Sequence, residues 1–523
     1  MRLLSRTLIA TLCILSAMLA PAHVGEHPSI HDVVSSTLLR ISRTLPPDEI
    51  TSLDQNRLLT ILTEEERHVL ATEHTTFEID QPANLYVLYD AEELPEPVWW
   101  LKESGFVKTG DTAEFDNDKY DVWHKTVAAG RVALGVNSLY GAGEHYLVAL
   151  TPAEGDAPVA VRQLYPGLAV VTGARSGKVT VKTPSRERQY DLQLPQPLEG
   201  CTLLVEVRDR TDDAKLVKVL RTTRFPSSPK PDQVVLTWSE DPRRSQTVQW
   251  RTSLAAATGL VEFREKNAPA GQVTTVTATT KTIEFPDILN DRVNHRHTAV
   301  LRGLKPATTY VYRAGDGSPD NWSDYAEFTT APDGGTTFSF IYMGDAQNGL
   351  DKWGDLIQAA HRRCPQARFY VMAGDLVNRG AERDDWDAFF HYSAGVYSSR
   401  PIVPALGNHE YHRTAFFSEP LYLDMFALPE DGPLPERCYS LEYGNAHFVI
   451  MDSNKPKDTA QIEWLDKQLG ASKATWKFVV YHHPAFSSRE TRDNPAIREK
   501  WGAVMDKHQV DMALQGHDHA YLR

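Results

Sequence analysis

Hydrophobic residues change their spacing twice along this chain. Between residues 30 and 75 they fall at helical intervals. Asp32 stands where it can cap a helix bearing Val33, Leu38, Leu39 and Ile41, and Thr63-Glu64-Glu65-Glu66 has the capping-box pattern ahead of Val69 and Leu70. From about Phe77 a strand-like rhythm takes over, with runs at 85–89, 132–136 and 146–150 separated by Gly, Pro and Asp clusters. Trp99, Trp100 and Trp123 read as core or edge residues of that β region, with an exposed aromatic platform for carbohydrate as the second reading. The stretch Pro226-Ser227-Ser228-Pro229-Lys230-Pro231 reads as a linker, and the short strands beyond it (234–238, 247–250, 260–263, 298–301, 309–312) predict a small β-sandwich. After Ala331-Pro332-Asp333-Gly334-Gly335 apolar strands alternate with amphipathic stretches of helix length, the pattern of a layered α/β domain. Its strands are predicted at 338–343, 368–372, 402–406, 446–451, 477–481 and 510–514, its helices near 350–363, 458–469 and 494–507.

The pattern yields five segments: 1–22, a helical segment 23–75, a β-rich domain 76–226 of unassigned role, a sandwich 227–332 and an α/β domain 333–523. The first is a signal peptide by its features: Arg2 and Arg6, an apolar run 7–19, and Ala20-Pro21-Ala22 as a cleavage site. That pattern implies a secreted or periplasmic protein, with no transmembrane segment once the signal is removed. A net charge of −14 argues against nucleic acid as a partner, since a polyanion meets net repulsion. Of four cysteines, Cys13 lies in the leader; Cys201, Cys364 and Cys438 form an odd set without a C-x-x-C, and a Cys364–Cys438 pair stays open.

Composition leaves the chemistry undecided; the strand ends do not. Asp345 follows the first predicted α/β strand, Asp375 the second, Asn408 and His409 the third, His482 the fifth, and His517 and His519 the sixth. Ligands of open α/β sheets gather at the carboxyl ends of strands, so residues 345 and 519 can meet in space. Oxygen donors mixed with imidazoles suit manganese, ferrous iron or zinc. Neither a Gly-x-Ser-x-Gly elbow nor a GxxxxGK[ST] loop occurs, which leaves serine-hydrolase and P-loop chemistry without support.

The motifs Gly344-Asp345, Gly374-Asp375, Gly407-Asn408-His409-Glu410, His482-His483-Pro484 and Gly516-His517-Asp518-His519, in this order, resemble the calcineurin-like metallophosphoesterase superfamily. Gly303-Leu304-Lys305-Pro306-Ala307-Thr308-Thr309-Tyr310, followed by Tyr312-Arg313, is similar to the fibronectin type III-like domain that precedes the catalytic domain of purple acid phosphatases. The resemblance covers about residues 230 to 523. It implies a metal-dependent hydrolase of phosphate monoesters or diesters, acid phosphatase-like, acting on a small-molecule phosphate ester. Two divalent ions (Mn, Fe or Zn) would activate a hydroxide nucleophile. By the same resemblance Asp375 bridges the ions, Asp345 and His519 complete the first site, and Asn408, His482 and His517 the second. His409 is then the catalytic acid or electrostatic helper, and Glu410 braces its loop.

The chain also departs from that pattern. Asn378 stands where purple acid phosphatases carry the tyrosine that binds ferric iron, which points to two divalent ions and no purple colour. Gln347 replaces the histidine of the wider superfamily's Asp-x-His; its amide oxygen either joins the first metal or hydrogen-bonds within its loop. Gly374-Asp375-Leu376-Val377-Asn378-Arg379-Gly380 resembles the GDxVDRG motif of Ser/Thr protein phosphatases, by which Asn378 would orient His409 and Arg379 would grip phosphate; an arginine after a turn is otherwise solvated. The family usually continues past GHxHAY, so the chain reads as a fragment or as lacking part of its last sheet. The rival reading is a non-catalytic secreted metal-binding or adhesion module.

Overall fold

The computed structural model describes residues 28–520 apart from 91, 93, 95, 142, 183–186, 207–210, 415, 418 and 490–491. The signal-peptide segment lies outside the described residues. Helices Ile30–Thr44, Pro47–Thr51, Gln55–Ile61 and Glu64–Thr72 fill the predicted helical segment. Its capping box forms: Glu66 N–H donates to Thr63 Oγ1 at 3.2 Å, and Thr63 N–H to Glu66 Oε2 at 2.8 Å. Asp32 caps differently than predicted. It sits in the first turn and exchanges hydrogen bonds with Ser29, the residue that caps, because helix formation reaches back to Ile30.

The chain divides into two compact units, one of residues up to Thr37 with Gln55–Lys215, the other of Leu38–Asp54 with Leu216–Arg523. The first is built on an eight-stranded antiparallel sheet whose order runs 169–174, 201–205, 147–152, 83–90, 118–127, 107–115, 187–193, 177–182. Trp99, Trp100 and Trp123 are buried in it, as a core role requires. Cys201, Cys364 and Cys438 are free thiols. No helix among the described residues is long and apolar enough to cross a membrane.

The second unit opens with the predicted sandwich, two four-stranded antiparallel sheets ordered 232–237, 245–253, 293–302, 279–284 and 274–277, 260–265, 309–315, 326–329. Strand Ser245–Ser253 alternates apolar and polar side chains, yet nearly all of it is buried. One face, with Val248 and Trp250, fills the sandwich core beside Leu236, Phe263 and Tyr312. The other carries Gln249 and Arg251 against the α/β domain. Gln249 Oε1 accepts from Ala427 N–H at 2.6 Å, and Arg251 donates to Asp387 Oδ1 at 2.8 Å. Asp387 also accepts from Gln233 at 2.6 Å and from Arg383 at 3.1 Å.

The α/β domain holds two sheets. Strands β1 (Ser339–Met343), β2 (Ala367–Met372) and β3 (Ile402–Pro404) run parallel. In the second sheet β4 (Tyr439–Tyr443) is antiparallel to β5 (Ala446–Ile450), and β6 (Trp476–Val480) and β7 (Met512–Leu514) continue in parallel. Phe340 and Phe369 of the first sheet meet Phe448 and Phe478 of the second, with ring centroids 5.3–5.5 Å apart across the interface. Offset and edge-on aromatic pairs of this kind add to the burial that joins the sheets. Helices Leu350–Arg363 and Arg383–Tyr392 meet through stacked Trp353 and Phe389, while Thr459–Ala471, capped by Asp458, buries Leu465 and Leu469 with Val449, Val479 and Trp501. The predicted helix 494–507 carries a π-type turn at Ile497–Trp501, which buries both named residues, ahead of the α-helical Gly502–Lys507. Strand β4 was not predicted, although Tyr439, Leu441 and Tyr443 alternate ahead of the hairpin turn Gly444-Asn445.

Asp387 is the hub of the sandwich–α/β junction, with two buried arginines on its two oxygens. Removing one member of a buried charge network leaves the others uncompensated. Asp387→Ala is therefore expected to cost about 3–5 kcal/mol of stability, read as a drop in the thermal unfolding midpoint; a midpoint within a degree of the parent would refute the hub role.

Candidate metal centre

Every motif begins at the carboxyl end of a strand, and the two sheets aim these ends at one place. The approach is too close for side chains at Gly374, Gly407 and Gly516. A Cβ on Gly407 would fall 2.0 Å from Asp375 Oδ1, and one on Gly516 2.6 Å from Asp345 Oδ2. Four of the polar residues take left-handed backbone conformations: Asp345 (φ 55°), Asp375 (φ 52°), His517 (φ 75°) and His519 (φ 51°). Each such residue costs about 1–3 kcal/mol, and strain of this kind clusters at functional sites.

Two donor groups result, with ligand atoms lying within 4.8 Å of one another in each: Asp345, Asp375 and His519 in one, Asp375, His482 and His517 in the other. Asp375 belongs to both. His482 Nδ1 lies 2.8 Å from the Ala373 carbonyl, which can only accept, so Nδ1 carries the proton and Nε2 a lone pair in the neutral ring. Around that Nε2 stand Asp375 Oδ2 at 3.0 Å, His517 Nδ1 at 3.1 Å and Asn408 Oδ1 at 3.2 Å. Four lone-pair donors thus converge with no obligatory proton among them, an arrangement a cation satisfies. In the other group His519 Nε2 is 3.6 Å from Asp345 Oδ1 and 3.0 Å from Gln347 Nε2, which also lies 3.1 Å from Asp375 Oδ2.

Electrostatics follow burial and charge. Burial raises the Asp345 carboxyl. It pushes Asp375 the same way, but the hydrogen bond and charge of His482 prevail and hold Asp375 below the usual carboxylate range. His482 is correspondingly raised: burial works against its charge, and the hydrogen bond that its charged form donates to the Asp375 carboxylate, with that carboxylate's charge, outweighs it. Burial, reinforced by His482, lowers His517 to about 4, which leaves that imidazole neutral and able to ligate above that pH.

Glu410 braces these loops. Its carboxylate accepts from the N–H groups of Gly407 (2.7 Å), Asp375 (2.9 Å), Leu376 (2.7 Å) and Val377 (3.3 Å), tying the second and third motifs together. Burial and the nearby Asp375 push it up to about 7. His409 N–H donates to Asp375 Oδ1 at 3.0 Å, and His409 Nδ1 pairs with the backbone carbonyl of Asn378 at 2.6 Å. Asn378 thus contacts His409 through its main chain, where the sequence pointed to its side chain. Arg379 is engaged by Asp385, at 3.2 Å through its guanidinium and at 2.9 Å through its N–H.

Sequence reasoning missed Asp452, Ser453 and Asn454, which follow β5. Ser453 Oγ accepts from His482 N–H (3.2 Å) and His483 N–H (2.9 Å), and Asn454 Nδ2 donates to the Gly407 carbonyl at 3.1 Å. The signal was present: polar Asp-Ser-Asn directly after an apolar strand, in the same position as every other motif.

Residues 338–521 match the calcineurin-like phosphoesterase family. Residues 231–330 match the N-terminal domain of purple acid phosphatases, so this region of the chain is similar to purple acid phosphatases, with that domain followed by a calcineurin-like phosphoesterase domain. It is similar to an uncharacterised protein of Mycobacterium tuberculosis (27% identical over 275 residues, 44% of this chain and 50% of the relative). It is also similar to Fe(3+)-Zn(2+) purple acid phosphatase 12 of Arabidopsis thaliana (23% over 317 residues, 57% and 66%). Among solved structures, the purple acid phosphatase of yellow lupin (Lupinus luteus) seeds aligns with a TM-score of 0.48 and 16% identity over 85% of this chain and 76% of that one. The chain spans about half the length of the first curated relatives it matches.

Two substitutions test the brace. Glu410→Gln sets an amide NH2 against N–H donors, and Gly407→Ala drives a methyl into Asp375. Each is expected to weaken metal binding by roughly tenfold to a hundredfold, measured by competition with a chromogenic chelator; unaltered affinity in both would show that the loops hold their geometry without these contacts.

Proposed function

We propose that this chain is an exported metal-dependent hydrolase of phosphate monoesters or diesters. The observation that carries the reading is the pair of donor groups sharing Asp375. Asp345 and His519 would hold one divalent ion, Asn408, His482 and His517 the other, with Asp375 between them. Bound there, two such ions would supply Lewis acidity to the phosphoryl group and bring the pKa of water toward neutrality.

The chain's own residues do the rest. Asp375 would screen the repulsion between two cations. Asn408, being neutral, leaves its site more electrophilic than a carboxylate would. His409 is a third exposed, unlike the buried His482. With Nδ1–H held by the Asn378 carbonyl, its Nε2 is the position that can deliver a proton to the leaving oxygen, work for which an imidazole suits near-neutral pH. Arg379, already engaged with Asp385, is assigned an electrostatic part only. Export rests on the N-terminal sequence pattern, and the acidic composition favours small phosphate esters over nucleic acid.

Protein loaded with manganese or zinc is expected to hydrolyse an aryl phosphate or a bis-aryl phosphate. Asp375→Ala should abolish loading of both ions, whereas His409→Ala should retain both and lose roughly a hundredfold to ten-thousandfold in kcat. Turnover that survives both changes, or wild-type protein that holds ions without turnover on either substrate, would defeat the assignment; the second result would favour a non-catalytic metal-binding module.

A further inference from the structure

Gln347 reaches into the centre from the loop after β1, two residues beyond Asp345. Its side chain is buried, at 5% exposure, and its amide end lies 3.1 Å from Asp375 Oδ2 and 3.0 Å from His519 Nε2. Donor atoms that share a cation at about 2.1 Å stand about 3 Å apart along an octahedral edge. The Gln347 amide is therefore spaced as another donor beside Asp375 and His519. The same spacing relates Asn408, Asp375 and His517 to His482 on the other side.

The other end of the amide supplies an independent indication. Gln347 Oε1 is buried and meets no hydrogen-bond partner among the described residues. An unsatisfied buried carbonyl oxygen is costly, and the two ends of an amide exchange by a half-turn about the last side-chain bond. Without a cation, the N–H groups can bridge the lone pairs of Asp375 and His519. Once those lone pairs turn to a cation, the N–H groups lose their acceptors there, and the oxygen is the end that the position rewards.

We propose that Gln347 Oε1 is a ligand of the cation held by Asp345, Asp375 and His519. This rests on the dimetal reading above and sharpens it. Each ion then receives one neutral amide oxygen, Gln347 on one side and Asn408 on the other. The donor set becomes two carboxylates, three imidazoles and two amides, with a formal charge of minus two against plus four for two divalent ions. That set matches like divalent ions better than a trivalent–divalent pair, since no anionic donor beyond the two carboxylates offsets a third charge on either metal.

The test uses cobalt(II) as the probe, with metal content and visible absorption measured on wild type, Gln347→Ala and Gln347→Glu. Wild type is expected to bind two ions. Gln347→Ala should weaken one of them by at least roughly tenfold and alter the cobalt ligand-field spectrum. Gln347→Glu, which restores an oxygen donor, should bring that affinity back. Two ions bound by Gln347→Ala with unchanged affinity and spectrum would overturn the ligand assignment while leaving the dimetal reading intact. Weakened binding with an unchanged spectrum, not rescued by Gln347→Glu, would make Gln347 a support for His519 and also overturn it. A wild type that binds fewer than two ions would overturn both.

Discussion

Lone pairs crowded on lone pairs set the terms for this fold. Around His482 Nε2 an imidazole nitrogen, an amide oxygen and a carboxylate oxygen stand within 3.0–3.2 Å, and Asp375 carries the crowding into a second group with Asp345 and His519. Without a cation such groups repel or must borrow protons, as the linked shifts of Asp375 and His482 record. The cohesion that opposes this comes from outside the donors. Aromatic rings clamp the two sheets, and backbone N–H groups bind Glu410, so that the strand tips stay aimed at one point.

Rigidity is spent at the backbone as well. Four of the donors sit at positive φ, where a non-glycine residue is strained, and Gly374 and Gly516 precede two of them where no side chain fits between the loops. The loops are then tied to one another rather than to solvent. Ser453 holds the His482–His483 turn, Asn454 reaches the Gly407 carbonyl, and Arg492 donates to the His517 carbonyl at 2.8 Å. A donor set preorganised in this way needs little rearrangement to receive ions.

Much of this was legible before any coordinates. The change of hydrophobic rhythm at 331–335 marked the α/β region, and the rule that ligands gather at strand ends singled out Asp345, Asp375, Asn408, His482, His517 and His519 as neighbours. Letters could not show direction, however. Asn378 looked like a side-chain partner for His409 and proved a backbone one, because a turn residue offers its carbonyl as readily as its amide. Arg379 looked available and is engaged by Asp385 seven positions before the end of the next helix, a contact only the folded turn creates. Strand β4 was missed although its alternation and Gly-Asn turn were in plain view. Ser245–Ser253 shows another limit: alternation places Gln249 and Arg251 on one face of the strand, and only the fold shows that the α/β domain covers it.

The charge arithmetic of the centre bears on what can approach it. The chain as a whole is acidic, at −14, so an anion far from the site meets net repulsion. Two divalent ions held by two carboxylates would leave a local excess of two positive charges, felt over about 8 Å at physiological ionic strength. A small phosphate ester would place nearly all of its charge within that distance. A long polyanion would carry most of its charge where the protein repels it. On the proposed reading, a preference for small esters would follow from the contrast between a positive centre and an acidic chain, and it would depend on the neutrality of Asn408 and Gln347 as much as on the two carboxylates.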